Sequence, residues 1–411
     1  MKRLRLWVPL AAALTAGLLT SSTTLAGRAA VRHASASQTF TVNVDGVNPA
    51  ANESFLGYFP RAIAVHAGDT VVFHYVGVGE PHTVTFGTLV DAAVSAYNKL
   101  SPSELAGPPP AGFRALDATL PSLFPSGPGD AVQSAANPCY LPNGLPGTSL
   151  CPLSQHVHPD FSGTYSYYNS GWLNANQRFT VHLSASTAPG VYRFMCLLHR
   201  ESMSGAVTVV AATQPVKSPS AQYRQGVQQL AAEQAKLAPA VAALRQGNPP
   251  VPGVSLPGQN PALVGSGAPG VIGQVDEYGP KVIRIPVGGT VTWWFLGDHT
   301  ITFNSNSTNN DVRYIAPDGT MHLNPKALVP VGGPGEPPPK GPPASGKGVT
   351  FKVVASSSWA GSGFHSSGIF LNSFGPPVIE GYKLKFTKAG TYNYICTVHD
   401  HMKGTVIVGG G

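Results

Sequence analysis

Tyr392–Met402 reads Y-N-Y-I-C-T-V-H-D-H-M and sets Cys396, His399 and Met402 on one tight turn near the C-terminus. Two hundred residues earlier, counted Cys to Cys, Tyr192–Met203 reads Y-R-F-M-C-L-L-H-R-E-S-M and sets Cys196, His199 and Met203 in the same order. A thiolate, an imidazole and a thioether on one loop form a soft donor set. With one more His, the set suits copper held for electron transfer, Met serving as a weak axial ligand.

The flanking sequence is also repeated. Residues 38–86 contain T-F-T-V-N-V-D, P-R-A-I-A-V-H-A-G-D-T-V-V-F-H-Y and H-T-V-T-F, which alternate apolar and polar residues as half-buried strands do. From Pro280 the pattern returns as P-K-V-I-R-I-P-V-G-G-T-V-T-W-W-F, then H-T-I-T-F from His299. The frame P-x-x-I-x-V/I-x-x-G-x-T-V-x-F/W is common to both. Ser170-Gly171 and Ser367-Gly368 then open matched blocks leading through R-F-T-V-H-L and Y-K-L-K-F into the two Cys loops. G-A-V-T-V-V and G-T-V-I-V close them.

Matched blocks in matched order predict duplicated domains. The expected fold class is all-β: two tandem Greek-key β-sandwiches, each antiparallel, with long loop insertions, joined by a helical segment and a Pro/Gly linker. The expected boundaries are 38–212, with an insertion at 88–165, and 271–411, with an insertion at 304–360. The first insertion should hold a short helix over Leu89–Leu100. The second contains the extended stretch G-E-P-P-P-K-G-P-P.

Residues 213–270 are read as the helix and linker. Ser218 is the expected cap and Pro219 suits the first turn. Tyr223, Val227, Leu230, Leu237, Val241 and Leu244 form one apolar stripe, interrupted at Gln234 and with Pro239 expected to kink the helix. The stripe predicts a helix docked on one domain rather than a dimerising coil.

A chain of 411 residues with 47 Gly, 39 Pro and 11% charged residues fits β-rich domains with long loops. Its first 36 residues read as a secretory leader: Lys2, Arg3 and Arg5, an apolar core Leu6–Leu19, and cleavage sites ending at Ala26 or Ala36. Removing the five basic residues of 1–36 takes the formal charge from +7 to +2, so the basic balance belongs to the leader and predicts no nucleic-acid partner. No later stretch has the roughly 18 apolar residues of a bilayer span, so membrane association is expected only through a retained leader. An exported, periplasmic, cell-surface or extracellular chain is disulfide-permissive, and Cys139 and Cys151 are the expected pair.

Each donor set needs a His from elsewhere in its sandwich. His82, in E-P-H-T-V-T-F, and His299, in G-D-H-T-I-T-F, fill that place. Thr83 and Thr300 follow them, either to orient the ligand loops by hydrogen bonding or as ordinary β-branched strand residues.

With these residues in place, each repeat resembles the cupredoxins, the blue-copper proteins such as plastocyanin, pseudoazurin and amicyanin. The motif is an upstream His, then G-x-Y-x-[FY]-x-C-x-x-H-x(2–4)-M-x-G-x-[VI]. C-T-V-H-D-H-M-K-G is most like amicyanin, whereas C-L-L-H-R-E-S-M-S-G has one residue more between His and Met. The resemblance covers the strand blocks and Cys loops, and neither the insertions nor the helix and linker. It implies two type 1 copper ions per chain, one held by His82, Cys196, His199 and Met203, the other by His299, Cys396, His399 and Met402. It also implies redox donor and acceptor proteins, with the edges of His199 and His399 at apolar surface patches, formed here in part by Leu197, Leu198 and Val398.

Two cupredoxin domains also frame multicopper oxidases and copper nitrite reductases. Those enzymes place His beside the blue-copper Cys. Here the neighbours are Met195 and Leu197, and Ile395 and Thr397, so the chain is expected to carry electrons and not to be an enzyme. A copper-storage or delivery role fits poorly with only five Met. His156-Val157-His158 reads as a solvated loop or a further metal site, and His322 and His365 have no assigned role.

Overall fold

The computed structural model describes residues 36–409 except 49–51, 78–79, 102–103, 105–137, 147–150, 175, 250–253, 268–269, 306–312, 316–320, 324–330, 332, 335–349, 373–377 and 400. The leader through residue 35, the G-E-P-P-P-K-G-P-P stretch and the His322 side chain lie outside the described residues.

In the first repeat, strands Thr39–Val44 and Thr70–Tyr75 sit side by side in a four-stranded sheet with Tyr58–Phe59 and Arg178–His182. A six-stranded sheet carries Ala62–His66, Arg200–Val210, Gly190–Cys196, Thr85–Phe86, Tyr167–Ser170 and Pro138–Leu141 in that order. Alternation dictates the packing. Thr39–Val44 buries Phe40, Val42 and Val44, and Thr70–Tyr75 buries Val71, Phe73 and Tyr75. These side chains meet Phe86, Phe194 and Val207 from the facing sheet in one core that also holds Cys196 and Met203.

The second repeat builds the same arrangement. Pro261–Gly267 lies parallel to Thr290–Phe295, and Gly390–Ile395 pairs with Lys403–Val408. Its core centres on Trp293, Phe303, Tyr382 and Tyr394, and holds Cys396 and Met402. All-β sandwiches are therefore observed, but the sheets are mixed. Thr39–Val44 runs parallel to Thr70–Tyr75, and Ala62–His66 parallel to Arg200–Val210. The intervening strand crosses to the opposite sheet, so the chain returns in the same direction.

Two expectations change. Residues 261–267 are a strand, Pro261–Gly267, and not linker. Its Gly265 and Gly267, and the Pro/Gly-rich flanks, conceal the alternation. The strand sits where Thr39–Val44 sits in the first repeat. Glu53–Phe55 also leaves the first sandwich and pairs antiparallel with Gly273–Gly279 of the second.

In this pairing Ser54 lies opposite Gln274, 220 positions later, the same offset that relates Pro60 to Pro280 and Thr70 to Thr290. Equivalent strands thus pair with each other, as at a two-fold, self-complementary interface.

The short helix runs over Thr88–Tyr97 and buries Val90, Ala93 and Val94 against Met195 and Trp172. The long helix runs over Pro219–Arg245, with the Ser218 hydroxyl accepting from the Ala221 N–H at 3.3 Å. It continues through Pro239 and contacts both repeats rather than one. Leu237, Ala240, Val241 and Leu244 join Phe55 and Phe59 of the first repeat and Leu263, Val275 and Trp294 of the second in a shared core. Arg245 then holds the buried Glu277 through two hydrogen bonds of 2.8 and 3.0 Å.

The apolar stripe is right from Leu230 onward and wrong for the first turns of this helix. Tyr223 and Val227 are 40% and 51% exposed, while Gln222 and Gly226 are buried. The backbone approaches so closely here that a Cβ on Gly226 would stand 2.4 Å from Pro60 N. Gln222 pairs with both the N–H and the C=O of Ala64, saturating a strand edge.

Leu237→Ala should therefore destabilise the chain by about 2–5 kcal/mol. Tyr223→Ala should change stability by no more than about 0.5 kcal/mol. Urea denaturation of the two variants checks the assignment, and equal effects would contradict it.

Candidate metal centres

Two donor clusters form, one in each repeat. The ligand atoms of His82, Cys196 and His199 lie within 4.8 Å of one another, as do those of His299, Cys396 and His399. Cys196 Sγ is 3.6 Å from His82 Nδ1 and 3.7 Å from His199 Nδ1. Cys396 Sγ is 3.9 Å from His299 Nδ1 and 3.7 Å from His399 Nδ1. Met203 and Met402 are buried in the same cores as the thiols.

The local fold explains this convergence. Cys196 ends a strand and Cys396 directly follows one, each His lies three residues on in the turn, and the first His comes from the entry to a neighbouring strand. The Thr83 N–H points at Cys196 Sγ (3.5 Å) and the Thr300 N–H at Cys396 Sγ (3.4 Å). The same threonines accept, through Oγ1, from the N–H of Leu197 and of Thr397, both at 2.9 Å. Ser170 and Ser367 accept from the N–H groups of Val84 and Ile301, each at 2.8 Å. The repeated Ser-Gly pairs therefore pin the residue two beyond each first His. In the longer first loop, Arg200 takes a left-handed φ of 58°.

The donors fit a metal ion. A first-row metal about 2.0 Å from nitrogen and about 2.3 Å from sulfur, at near-trigonal angles, separates N from S by about 3.7 Å. In the second cluster His299 Nδ1 and His399 Nδ1 stand 3.1 Å apart in a buried site, a spacing that needs a proton or a cation between them. Burial opposes ionisation of Cys196, but His199 and His82 outweigh it and hold the thiol well below its ordinary value, ready to bind as thiolate.

The outward nitrogens of the loop histidines are not at the surface. His199 and His399 side chains are 10% and 1% exposed, and both turn to one carboxylate. Glu80, itself 6% exposed, lies between them. Its Oε2 is 2.7 Å from His199 Nε2 and its Oε1 is 3.5 Å from His399 Nε2. Burial raises the Glu80 pKa, yet His199 and His399 overcome it and keep the carboxyl well below its usual range.

Asp276 Oδ1 is 3.6 Å from His399 Nε2, while its Oδ2 accepts from Ser54 (2.8 Å) and faces His401 at 3.8 Å. Burial pushes Asp276 up to about 7, against His399 and Ser54. The expected surface ports are corrected accordingly: the His199 and His399 edges turn inward. Leu197 and Val398 are buried, and Leu198 is the exposed member of the three.

The two sites differ in the partner of the first His. His82 Nε2 lies 3.3 Å from Asp45 Oδ2, with both residues buried. The position equivalent to Asp45 is Gly265, where a Cβ would stand 2.1 Å from His299 Nε2. Among the described residues, His299 Nε2 has no hydrogen-bond partner. Glu80, Asp45, Asp276 and Gln274, whose Nε2 lies 3.1 Å from His399 Nε2, were not singled out from sequence. Only Glu80, charged and two residues before His82 where the second repeat has Gly297, carried a visible signal.

His156, His158 and His365 have structural partners. His156 and His158 each meet the carbonyl of a disulfide cysteine, Cys151 and Cys139, at 3.2 Å, and Val157 between them is 79% exposed. Cys139 and Cys151 are bonded, with Cα atoms 5.9 Å apart. His365 is buried beside Trp359 and bonds the Tyr382 hydroxyl at 2.7 Å.

No family model matches this chain, and no curated relative does. Among solved structures it is similar to reduced auracyanin from the photosynthetic bacterium Roseiflexus castenholzii, at 18% identity over 42% of this chain and 97% of that one, with a TM-score of 0.22. A Cu(I) amicyanin variant aligns at 18% identity over 38% and 86%, with a TM-score of 0.19. An oxidized amicyanin variant aligns at 19% over 32% and 72%, with a TM-score of 0.16. With likenesses this slight, the chemical reading stands on the donor geometry. Among the described residues no helix is long and apolar enough to cross a membrane.

Burial holds His365 neutral in the folded chain, down to a pKa of about 4. An unfolded His takes a proton near pH 6.5, so stability contributed by His365 is present above that pH. It is lost as pH falls towards about 4, by up to about 3 kcal/mol. Urea midpoints across this window should fall more steeply for the natural chain than for His365→Gln. Parallel slopes would contradict the assignment.

Proposed function

We propose that this chain is an exported electron carrier with two type 1 copper centres, one in each repeat. The observation that carries the reading is the duplicated convergence of one buried thiol and two Nδ1 atoms, each with a buried Met in the same core. Thiolate and thioether favour Cu(I) and imidazole favours Cu(II), so such a set accepts one-electron change with little rearrangement. His82, Cys196, His199 and Met203 would hold one ion, and His299, Cys396, His399 and Met402 the other. Export is supported by the leader-like residues 1–36 and by the Cys139–Cys151 disulfide.

Carriage rather than catalysis is favoured by the neighbours of the thiols. Met195, Leu197 and Thr397 are buried and, like Ile395, offer no imidazole to a catalytic copper beside either Cys. Redox donor and acceptor proteins are the proposed partners.

Copper-loaded protein should carry two copper ions per chain and an intense thiolate-to-copper absorption band in the visible. Cys396→Ser should remove about half of that band and one copper, with the Cys196 centre retained. Colourless protein, or an undiminished band in the variant, would refute the reading. Asp45 beside His82 should make that imidazole more basic and favour Cu(II) at the first centre. Asp45→Asn should therefore raise the reduction potential of the first centre alone, measured by redox titration of the visible band.

A further inference from the structure

Glu80 has no use within a single cupredoxin-like site, yet it is the most closely engaged carboxylate between the two. It is buried, and its two oxygens address the two loop histidines, 2.7 Å from His199 Nε2 and 3.5 Å from His399 Nε2. Both Nδ1 atoms face their thiols, so a metal on each leaves Nε2 as the outward atom: that of His199 meets Glu80, and that of His399 lies among Gln274 Nε2 (3.1 Å), Glu80 Oε1 (3.5 Å) and Asp276 Oδ1 (3.6 Å).

The surroundings are built for one carboxylate. The residue equivalent to Glu80, counted from the first His, is Gly297, whose Cβ would stand 2.6 Å from His299 Nε2 and 3.2 Å from Gln274 Oε1. There is no room for a second acid. The Tyr75 hydroxyl donates to the Glu80 carbonyl and fixes its backbone.

We infer that Glu80 is a bridging residue that joins the two metal centres into one unit, carrying one-electron exchange within the chain along His199–Glu80–His399. The inference rests on the two-copper reading. An electron leaving Cu(I) at one centre reduces Cu(II) at the other, so the exchange balances without any further reactant. The carboxylate accepts the His199 N–H and stands 3.5 Å from His399 Nε2, which reduces the gap between the two ligands to one hydrogen bond and one short ion-pair contact. Partner proteins then meet the chain elsewhere, because neither histidine edge is open to them.

The test uses the full chain loaded with copper and reduced substoichiometrically by a radiolytic pulse. Redistribution between the two centres should be a first-order phase independent of protein concentration. Glu80→Ala should slow that phase at least about tenfold, the rate equivalent of losing one hydrogen bond to a charged group. Glu80→Gln, which keeps the shape and one acceptor, should slow it less.

A second readout needs no redox chemistry. In the zinc-loaded chain, NMR should show a low-field, slowly exchanging His199 Nε2–H proton that Glu80→Ala abolishes. Fewer than two coppers in the natural chain would sink the copper reading itself. Two coppers with a concentration-dependent phase, or an unchanged rate and an unchanged His199 proton in Glu80→Ala, would overturn the bridge alone.

Discussion

A buried carboxylate must be paired, because an isolated charge cannot be taken from water without a large cost. Glu80 meets this constraint with two histidines from two different repeats. Much of the architecture follows. For both imidazoles to reach one acid, the two sandwiches must present their Cys loops to each other, with the first-His strands behind them. Each imidazole faces its thiol at Nδ1, and at Nε2 His199 meets Glu80 while His399 meets Gln274 with Glu80 and Asp276 beside it, so ring orientation is specified from both ends.

The antiparallel pairing of Glu53–Phe55 with Gly273–Gly279 makes this approach possible. It joins equivalent segments of a duplicated chain, as a two-fold dimer interface would. The two segments differ in sequence where they meet. The first repeat supplies Asp45 and Glu80 where the second supplies Gly265 and Gly297, and the second supplies Asp276 where the first has Leu56. Acids on both sides would stand charge against charge in a dry interface. The glycines are also steric requirements, since a Cβ at either would run into His299.

Around this polar centre the seam is apolar. The helix Pro219–Arg245 lays Leu237, Val241 and Leu244 over Phe55 from one copy and Val275 and Trp294 from the other, so docking of the repeats and formation of their shared core are one event. The helix is more than a connection between domains. Its Gln222 saturates a strand edge, its Gly226 lets the backbone approach Pro60, and its Arg245 pairs with the buried Glu277.

The sequence by itself determined the parts whose information is local. The alternation of strands, the duplicated blocks, the Ser218 cap and the Cys-x-x-His turn with its Met were all legible, because period, spacing and donor softness act over a few residues. The first histidines were legible too, since the repeat marks His82 and His299 as counterparts. Tertiary structure alone decided what the outward edge of each loop histidine meets. Nothing in E-P-H or G-D-H states that the two repeats face one another. Strand pairing across a fold is set by backbone hydrogen bonds and burial summed over the whole interface, and it leaves no periodic trace in either strand. The helix shows the same division: Leu237 onwards follows the apolar stripe, but the Gly226 face follows close backbone contact, where small and polar residues pack and hydrophobic spacing is silent.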